Sequence, residues 1–385
     1  MKNIACLFSL VWLSSCALQP STPDRGIESL PFQGGASHLL VDDIDGDGRL
    51  DVAFISHGAN VMQVFYQKGS RHFVPGPLIT EVGFHPNGMV RLPGKHLYVL
   101  NAEGFHNLVV FRPTPEGLKR IAALGFPSPW STTVFHWPGW GLGLAVFPYH
   151  RKELYLLRDF DPLKGKAQGS VKVPLPRPFL YPSPPIAVDL DGDGIEELVF
   201  SAFGNKLWVV RYREEPRLEL LYQLDPDLLL SLGRPGPPVA ADVDDDGDQD
   251  LLVPYQVKPV RINVLLNDGQ GRFHPADPLP FPVQKGIQRI ATAVDKDGFR
   301  YVFAVGYYAL ALYRLPHPWG GEAEMVSLPV KPNEGMRDLA FRDLDGDGWL
   351  DVVVARGRLK DSDLIMYGPL WERFSKLAEQ GFIIE

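Results

Sequence analysis

Short apolar runs of about five residues recur along the chain, broken by Gly, Pro, Asn and Asp at turn positions. DVAFIS at 51–56, ELVFSA at 197–202, DLLVPY at 250–255 and DVVVAR at 351–356 are such runs. Further runs follow them, such as KLWVVRYR at 206–213 and then LELLYQL at 218–224. Their length and their Val, Leu, Phe and Tyr content predict strands, because an amphipathic helix needs ten or so residues with apolar positions three and four apart. That spacing is almost missing. Glu372–Gln380 is the only segment that reads as a short helix, with a last outer strand as its alternative. The pattern predicts an all-β protein.

Each of the four named runs is entered through an acidic loop. The loops place carboxylates at positions 1, 3, 5 and 9: Asp43, Asp45, Asp47 and Asp51; Asp189, Asp191, Asp193 and Glu197; Asp242, Asp244, Asp246 and Asp250; Asp343, Asp345, Asp347 and Asp351. Position 6 is Gly in all four, which permits a tight turn, and the carbonyl of position 7 can add a ligand. One carboxylate pair ~4.5 Å apart costs on the order of 4 kcal/mol at an effective dielectric of about 20, so such loops call for a cation. Ligands that are all oxygen, with no His or Cys in the pattern, favour Ca²⁺ over Zn²⁺. An EF-hand begins the same way but needs an acid at position 12 and flanking helices. Position 12 here is Phe54, Phe200, Val253 or Val354, inside the predicted strands.

The loops also set a period. A reduced copy at 293–298 carries Asp295 and Asp297 without later acids, and with it the starts at 43, 189, 242, 295 and 343 are spaced by 146, 53, 53 and 48 residues. A third of the long interval is about 49, so two units without intact acid loops are expected between 90 and 185. Val90–Leu124, with LYVLN and NLVVFRP, and Thr133–Pro174, with Gly141–Phe147 and ELYLLRD, supply them. Four short strands cannot bury both faces of their sheet alone, and radial stacking solves this while covering the edges. The prediction is a seven-bladed β-propeller of four-stranded antiparallel blades over residues 32–385.

These residues resemble the FG-GAP/VCBS repeat family, the calcium-loop propellers that include the head of integrin alpha subunits and many bacterial surface proteins. The motif is full in units 1, 4, 5 and 7, partial in unit 6 and absent from units 2 and 3. The resemblance implies that each loop joins the first two strands of its blade and binds Ca²⁺ through the sixteen acids above, about four ions in all. Asp295 and Asp297 are not included.

The N-terminus has its own pattern. Lys2, the apolar run Ile4–Leu13 and the small residues after it read as an export signal, too short to span a bilayer. Leu13-Ser14-Ser15-Cys16 resembles the lipobox of bacterial lipoproteins. By that resemblance residues 1–15 are removed, Cys16 carries acyl chains, and residues 16–31 form a lipidated tether. The protein is then exported and anchored in the bacterial cell envelope and, if the cell is Gram-negative, on its outer membrane, since Ala17 is not the Asp of inner-membrane retention. Cys6 lies within the signal, so the mature chain holds one Cys and no disulfide.

Composition narrows the function. The chain of 385 residues has 38 Lys+Arg against 46 Asp+Glu, which argues against nucleic acid as the partner, and four divalent ions would bring the formal −8 to zero. No Gly-x-Ser-x-Gly, His-Glu-x-x-His, P-loop or Rossmann glycine pattern occurs. In the units without an acid loop, Trp137 and Trp140, near Trp130 and His136, could stack on sugar rings or simply pack between blades, and Tyr307-Tyr308 is similar. His85, His106, His136 and His150 also fall in those units as a candidate shared site. The expectation is a calcium-stabilised module that binds a protein or a glycan. The alternatives are a polysaccharide lyase or hydrolase on a calcium-loop propeller, and a structural subunit of an envelope assembly.

Overall fold

The computed structural model describes residues 26–176, 184–202, 206–224, 236–255, 260–283, 286–331, 336–357 and 363–384. The expected signal, Cys16 and the first part of the tether lie outside these residues. The chain starts with β1 (Ile27–Leu30) and then lays down seven antiparallel sheets in sequence order.

Blade 1 is β2 (His38–Asp42), β3 (Asp51–Ser56), β4 (Val61–Gly69) and β5 (His72–Ile79), and blade 2 is β6 (Pro86–Leu92), β7 (Leu97–Ala102), β8 (Asn107–Thr114) and β9 (Gly117–Gly125). Blade 3 is β10 (Pro129–Phe135), β11 (Gly143–Pro148), β12 (Glu153–Arg158) and β13 (Gly169–Pro174). Blade 4 is β14 (Ile186–Val188), β15 (Glu197–Ala202), β16 (Lys206–Tyr212) and β17 (Pro216–Gln223). Blade 5 is β18 (Val239–Ala241), β19 (Asp250–Tyr255), β20 (Arg261–Asn267) and β21 (Phe273–Pro275), with β22 (Leu279–Pro280) also on β20. Blade 6 is β23 (Ile287–Val294), β24 (Arg300–Gly306), β25 (Ala309–Arg314) and β26 (Glu324–Pro329). Blade 7 takes β27 (Asp338–Arg342), β28 (Asp351–Ala355) and β29 (Asp363–Met366) from the C-terminal end, and its fourth strand is β1. This is a seven-bladed β-propeller, as the repeat period predicts, and its units without an acid loop are blades 2 and 3.

The propeller begins before residue 32. Ile27, Glu28, Ser29 and Leu30 pair with Met366, Ile365, Leu364 and Asp363, so this part of the expected tether is a strand that closes the ring. The helical option holds at the other end, where α1 (Leu370–Glu379) buries Leu370, Phe374 and Leu377 against blades 6 and 7. The outer place in blade 7 that a C-terminal strand would need is already filled by β1.

The second strand of a blade explains the apolar runs. In β3, Val52 and Phe54 pack with Val353 and Ile365 of blade 7, while Ala53 and Ile55 face Tyr98 and Leu100 of blade 2. Successive side chains point to opposite faces of a strand, so a strand clamped between two blades must be apolar at every position. Every residue of β3, β7, β11, β19 and β28 is buried. Among the described residues the apolar clusters number seven, each spanning the seam between neighbouring blades.

Candidate metal centre

Each acid loop joins the first strand of its blade to the second, so the four loops of blades 1, 4, 5 and 7 share one face of the ring. Their backbones follow one local code. The position-6 glycines Gly48, Gly194, Gly247 and Gly348 have φ of 86°, 84°, 99° and 85°, a region that costs a side chain about 1–2 kcal/mol. Each donates its N–H to Oδ2 of the first Asp in its loop, at 3.1, 2.9, 3.2 and 2.9 Å for Asp43, Asp189, Asp242 and Asp343. The chain is thereby curled around the first carboxylate. Blade 5 has Asp245 at position 4, where the other loops have Gly. Its φ is 62°, and its carboxylate turns outward to Arg300 at 2.8 Å and His317 at 2.6 Å.

Three carboxylates converge in each loop. Oxygens of Asp43, Asp45 and Asp51 lie within 4.8 Å of one another, and so do those of Asp189, Asp191 and Glu197, of Asp242, Asp244 and Asp246, and of Asp343, Asp345 and Asp347. The remaining predicted ligands brace the loop through hydrogen bonds. Asp47 and Asp193 accept the N–H of Arg49 at 3.0 Å and Ile195 at 2.8 Å. Asp250 accepts from Val243 at 2.6 Å and Asn267 at 2.7 Å, and Asp351 from Leu344 at 2.8 Å and Gly368 at 2.7 Å, so each pins its loop to the third strand or the segment after it. Asp51 combines the two duties, since it also accepts from Ile44, Asp45 and Gln67.

The position-9 acids are the electrostatic centre. Burial, with repulsion from nearby loop carboxylates, outweighs their backbone hydrogen bonds and pushes Asp51 and Asp250 up to about 6 and Glu197 and Asp351 up to about 7. Asp43 Oδ1, Asp191 Oδ1, Asp242 Oδ1 and Asp244 Oδ1 are enclosed and accept no hydrogen bond. Enclosed anionic oxygens without a donor suit a hard divalent cation. Blade 7 differs, because Arg71 of blade 1 reaches across to Asp345 at 2.5 Å and Asp347 at 3.5 Å. Lys68 likewise contacts Asp45, and Arg211 stands 3.5 Å from Asp191. In blade 6, Asp295 Oδ1 accepts the N–H groups of Asp297 and Phe299, closing a plain turn.

Trp137 and Trp140 do not form a recognition surface. They are 4% and 5% exposed in the seam between blades 3 and 4, where Trp137 stacks on Tyr212 at 4.7 Å and donates its indole N–H to the Glu196 carbonyl. Burying two indoles in an apolar seam outweighs presenting them to water. The four histidines do not converge either. His106 contacts Ser128, His136 sits 3.6 Å from Glu196, and His150 packs edge-on against Tyr149. His85 meets a residue that sequence reading missed, His57, with ring centroids 4.4 Å apart, and one ligand atom each from His57, His85 and Glu103 lies within 4.8 Å of the other two. Burial, with His85 and His38 nearby, holds the His57 imidazole below the usual histidine range. These three residues come from two blades, so no spacing within one loop could reveal them.

Residues 189–253 and 294–354 match the FG-GAP-like repeat, so the chain carries these repeats in blades 4 to 7. No curated protein matches the sequence. Among solved structures, BBS1N crystallised in complex with ARL6DN is similar at TM-score 0.56 and 11% identity, covering 88% of this chain and 94% of that one. Virginiamycin B lyase from Staphylococcus aureus is similar at TM-score 0.56 and 15% identity, covering 89% and 99%. A functionally unknown protein from Desulfotomaculum acetoxidans gives TM-score 0.51 and 14% identity, covering 82% and 98%. At these identities the likeness is one of fold.

Proposed function

We propose that this protein is a calcium-stabilised propeller, lipid-anchored in the bacterial envelope through Cys16, that binds a protein or glycan partner. The observation that carries the calcium reading is the set of enclosed, donor-free oxygens on Asp43, Asp191, Asp242 and Asp244, repeated at equivalent loops of a ring. The ion replaces repulsion between carboxylates by attraction and fixes the first hairpin of its blade. With calcium at ~1 mM and a Kd near 0.1 mM, each site adds about 1.4 kcal/mol. Occupying blade 7 requires Arg71 to leave Asp345.

The anchoring reading rests on the Leu13-Ser14-Ser15-Cys16 pattern. The binding reading rests on the repeat fold, in which the converging carboxylates of blades 1, 4, 5 and 7 belong to the loops that join the first two strands.

Elemental analysis tests the calcium sites. The native chain should hold about four calcium ions and Asp191→Ala about three, and chelation should lower the melting temperature of the native chain. An unchanged count in the variant rejects the blade 4 site. Release of unsaturated or reducing sugars from envelope glycans would make the protein an enzyme instead.

A further inference from the structure

On the face opposite the acid loops, we infer that His57, His85 and Glu103 form a binding site for a divalent transition metal of the Zn²⁺ class, separate from the calcium loops. The three side chains meet at the mouth of the seam between blades 1 and 2. His57 lies in the turn from β3 to β4, His85 in the connector from blade 1 to blade 2, and Glu103 in the turn from β7 to β8.

The backbone that carries them is fixed before any metal arrives. His57 N–H donates to Ser37 Oγ at 2.9 Å, and His85 N–H donates across the seam to Asn60 Oδ1 at 2.7 Å. The Glu103 and Gly104 N–H groups donate to the His85 and Phe84 carbonyls at 3.2 and 2.9 Å. The approach is so close that a Cβ on Gly104 would stand 2.2 Å from the Phe84 ring. His85 itself is held at φ 52°, an uncommon conformation for a residue other than Gly or Asn, which aims its ring at His57 and Glu103.

The donors have the right chemistry and nearly the right spacing. Tetrahedral ligands at bonds of about 2.1 Å stand about 3.4 Å apart. His85 Nδ1 is 3.8 Å from Glu103 Oε2, and one ligand atom from each of the three residues falls within a 4.8 Å set, so small side-chain rotations close the triangle. His57 Nδ1 is enclosed and makes no hydrogen bond, an expense that ligation or a metal-induced turn of the ring would remove. Two imidazoles and one carboxylate select Zn²⁺ and its neighbours over Ca²⁺, and they leave a fourth position open. Phe84, stacked on His85 at 4.0 Å, and Trp130, edge-on to His57 at 5.9 Å, supply apolar walls, while the His85 side chain, 40% exposed, keeps the site reachable from solvent.

The test uses the full chain saturated with calcium, titrated with Zn²⁺ by calorimetry and with Co²⁺ by visible absorption. One Zn²⁺ per chain should bind in the presence of excess calcium, and Co²⁺ should give the absorption bands of a low-coordinate nitrogen–oxygen site. His85→Asn, which tolerates the backbone conformation, and Glu103→Gln should each weaken Zn²⁺ binding at least tenfold and leave the calcium count unchanged, whereas His150→Asn should do neither. Absence of Zn²⁺ binding to the native chain, or equal affinity in both site variants, overturns the inference. Should His85→Asn melt early, Glu103→Gln decides alone.

Discussion

The carboxylates at the ninth loop position show how one residue type divides its work. Sequence reading treats all the loop acids alike, because spacing cannot tell which oxygen faces inward. The fold separates them: Asp250 and Asp351 are fully buried and spend their oxygens on backbone N–H groups, while Asp242, Asp244, Asp343 and Asp345 face one another in the loops. A pH dependence follows. Asp51, Asp250, Glu197 and Asp351 are raised in the folded protein to about 6, 6, 7 and 7, so between roughly pH 4 and 7 the folded state holds more protons than the unfolded one. Their contribution is fully present below the unfolded values and is lost as pH rises through the folded ones. Each group accounts for at most roughly 3–4 kcal/mol. Calcium-free protein should therefore show a melting temperature that falls from pH 4 to 7.5, and saturating calcium should flatten that slope by favouring the ionised carboxylates. A flat calcium-free profile would contradict this. Asp338, which Arg289 and His38 hold low against the effect of burial, works in the opposite sense and shows at the acid end.

At the scale of the element, most of the fold was legible because a strand between two blades has to be apolar throughout. DVAFIS and DVVVAR carry that requirement openly. The same logic located blades 2 and 3 without any acid loop, from strand order and the period alone. IESL at 27–30 could not be read as a strand, since it has two apolar residues in four and its partner lies at the far end of the chain. The His57, His85 and Glu103 group was hidden for a related reason: its members become neighbours only when two blades pack. The double burial of the second strands also predicts where the ring is most sensitive. Phe54 is fully enclosed against Phe32 and Phe65, with ring centroids 5.9 and 5.7 Å away. Phe54→Ala should destabilise the protein by about 3–5 kcal/mol in denaturant unfolding. A cost below about 1 kcal/mol would mean that the seam can collapse into the space left behind.

For the molecule as a whole, charge and attachment act together. Four divalent ions bound as proposed would offset the formal charge of −8, so calcium would change the protein's net electrostatics as well as its local stability. Attachment is the proposal that the sequence alone carries. Replacing Cys16 with Ser should move the protein from the detergent phase to the aqueous phase in phase partitioning and abolish labelling by a fatty-acid analogue. Retention in the detergent phase would assign membrane association to some other part of the chain. A lipidated Cys16 would place the anchor a short way before β1, so a pull on the membrane attachment would run along the hydrogen bonds between β1 and β29.

Pairing Ile27 with Met366 also sets a condition for folding. β1 and β29 are separated in the chain by six blades, so the ring cannot seal until both ends of the arc have met. Until then the arc has an unsealed edge on each side, open to mispairing with another chain, and the pairing of β1 with β29 removes that hazard.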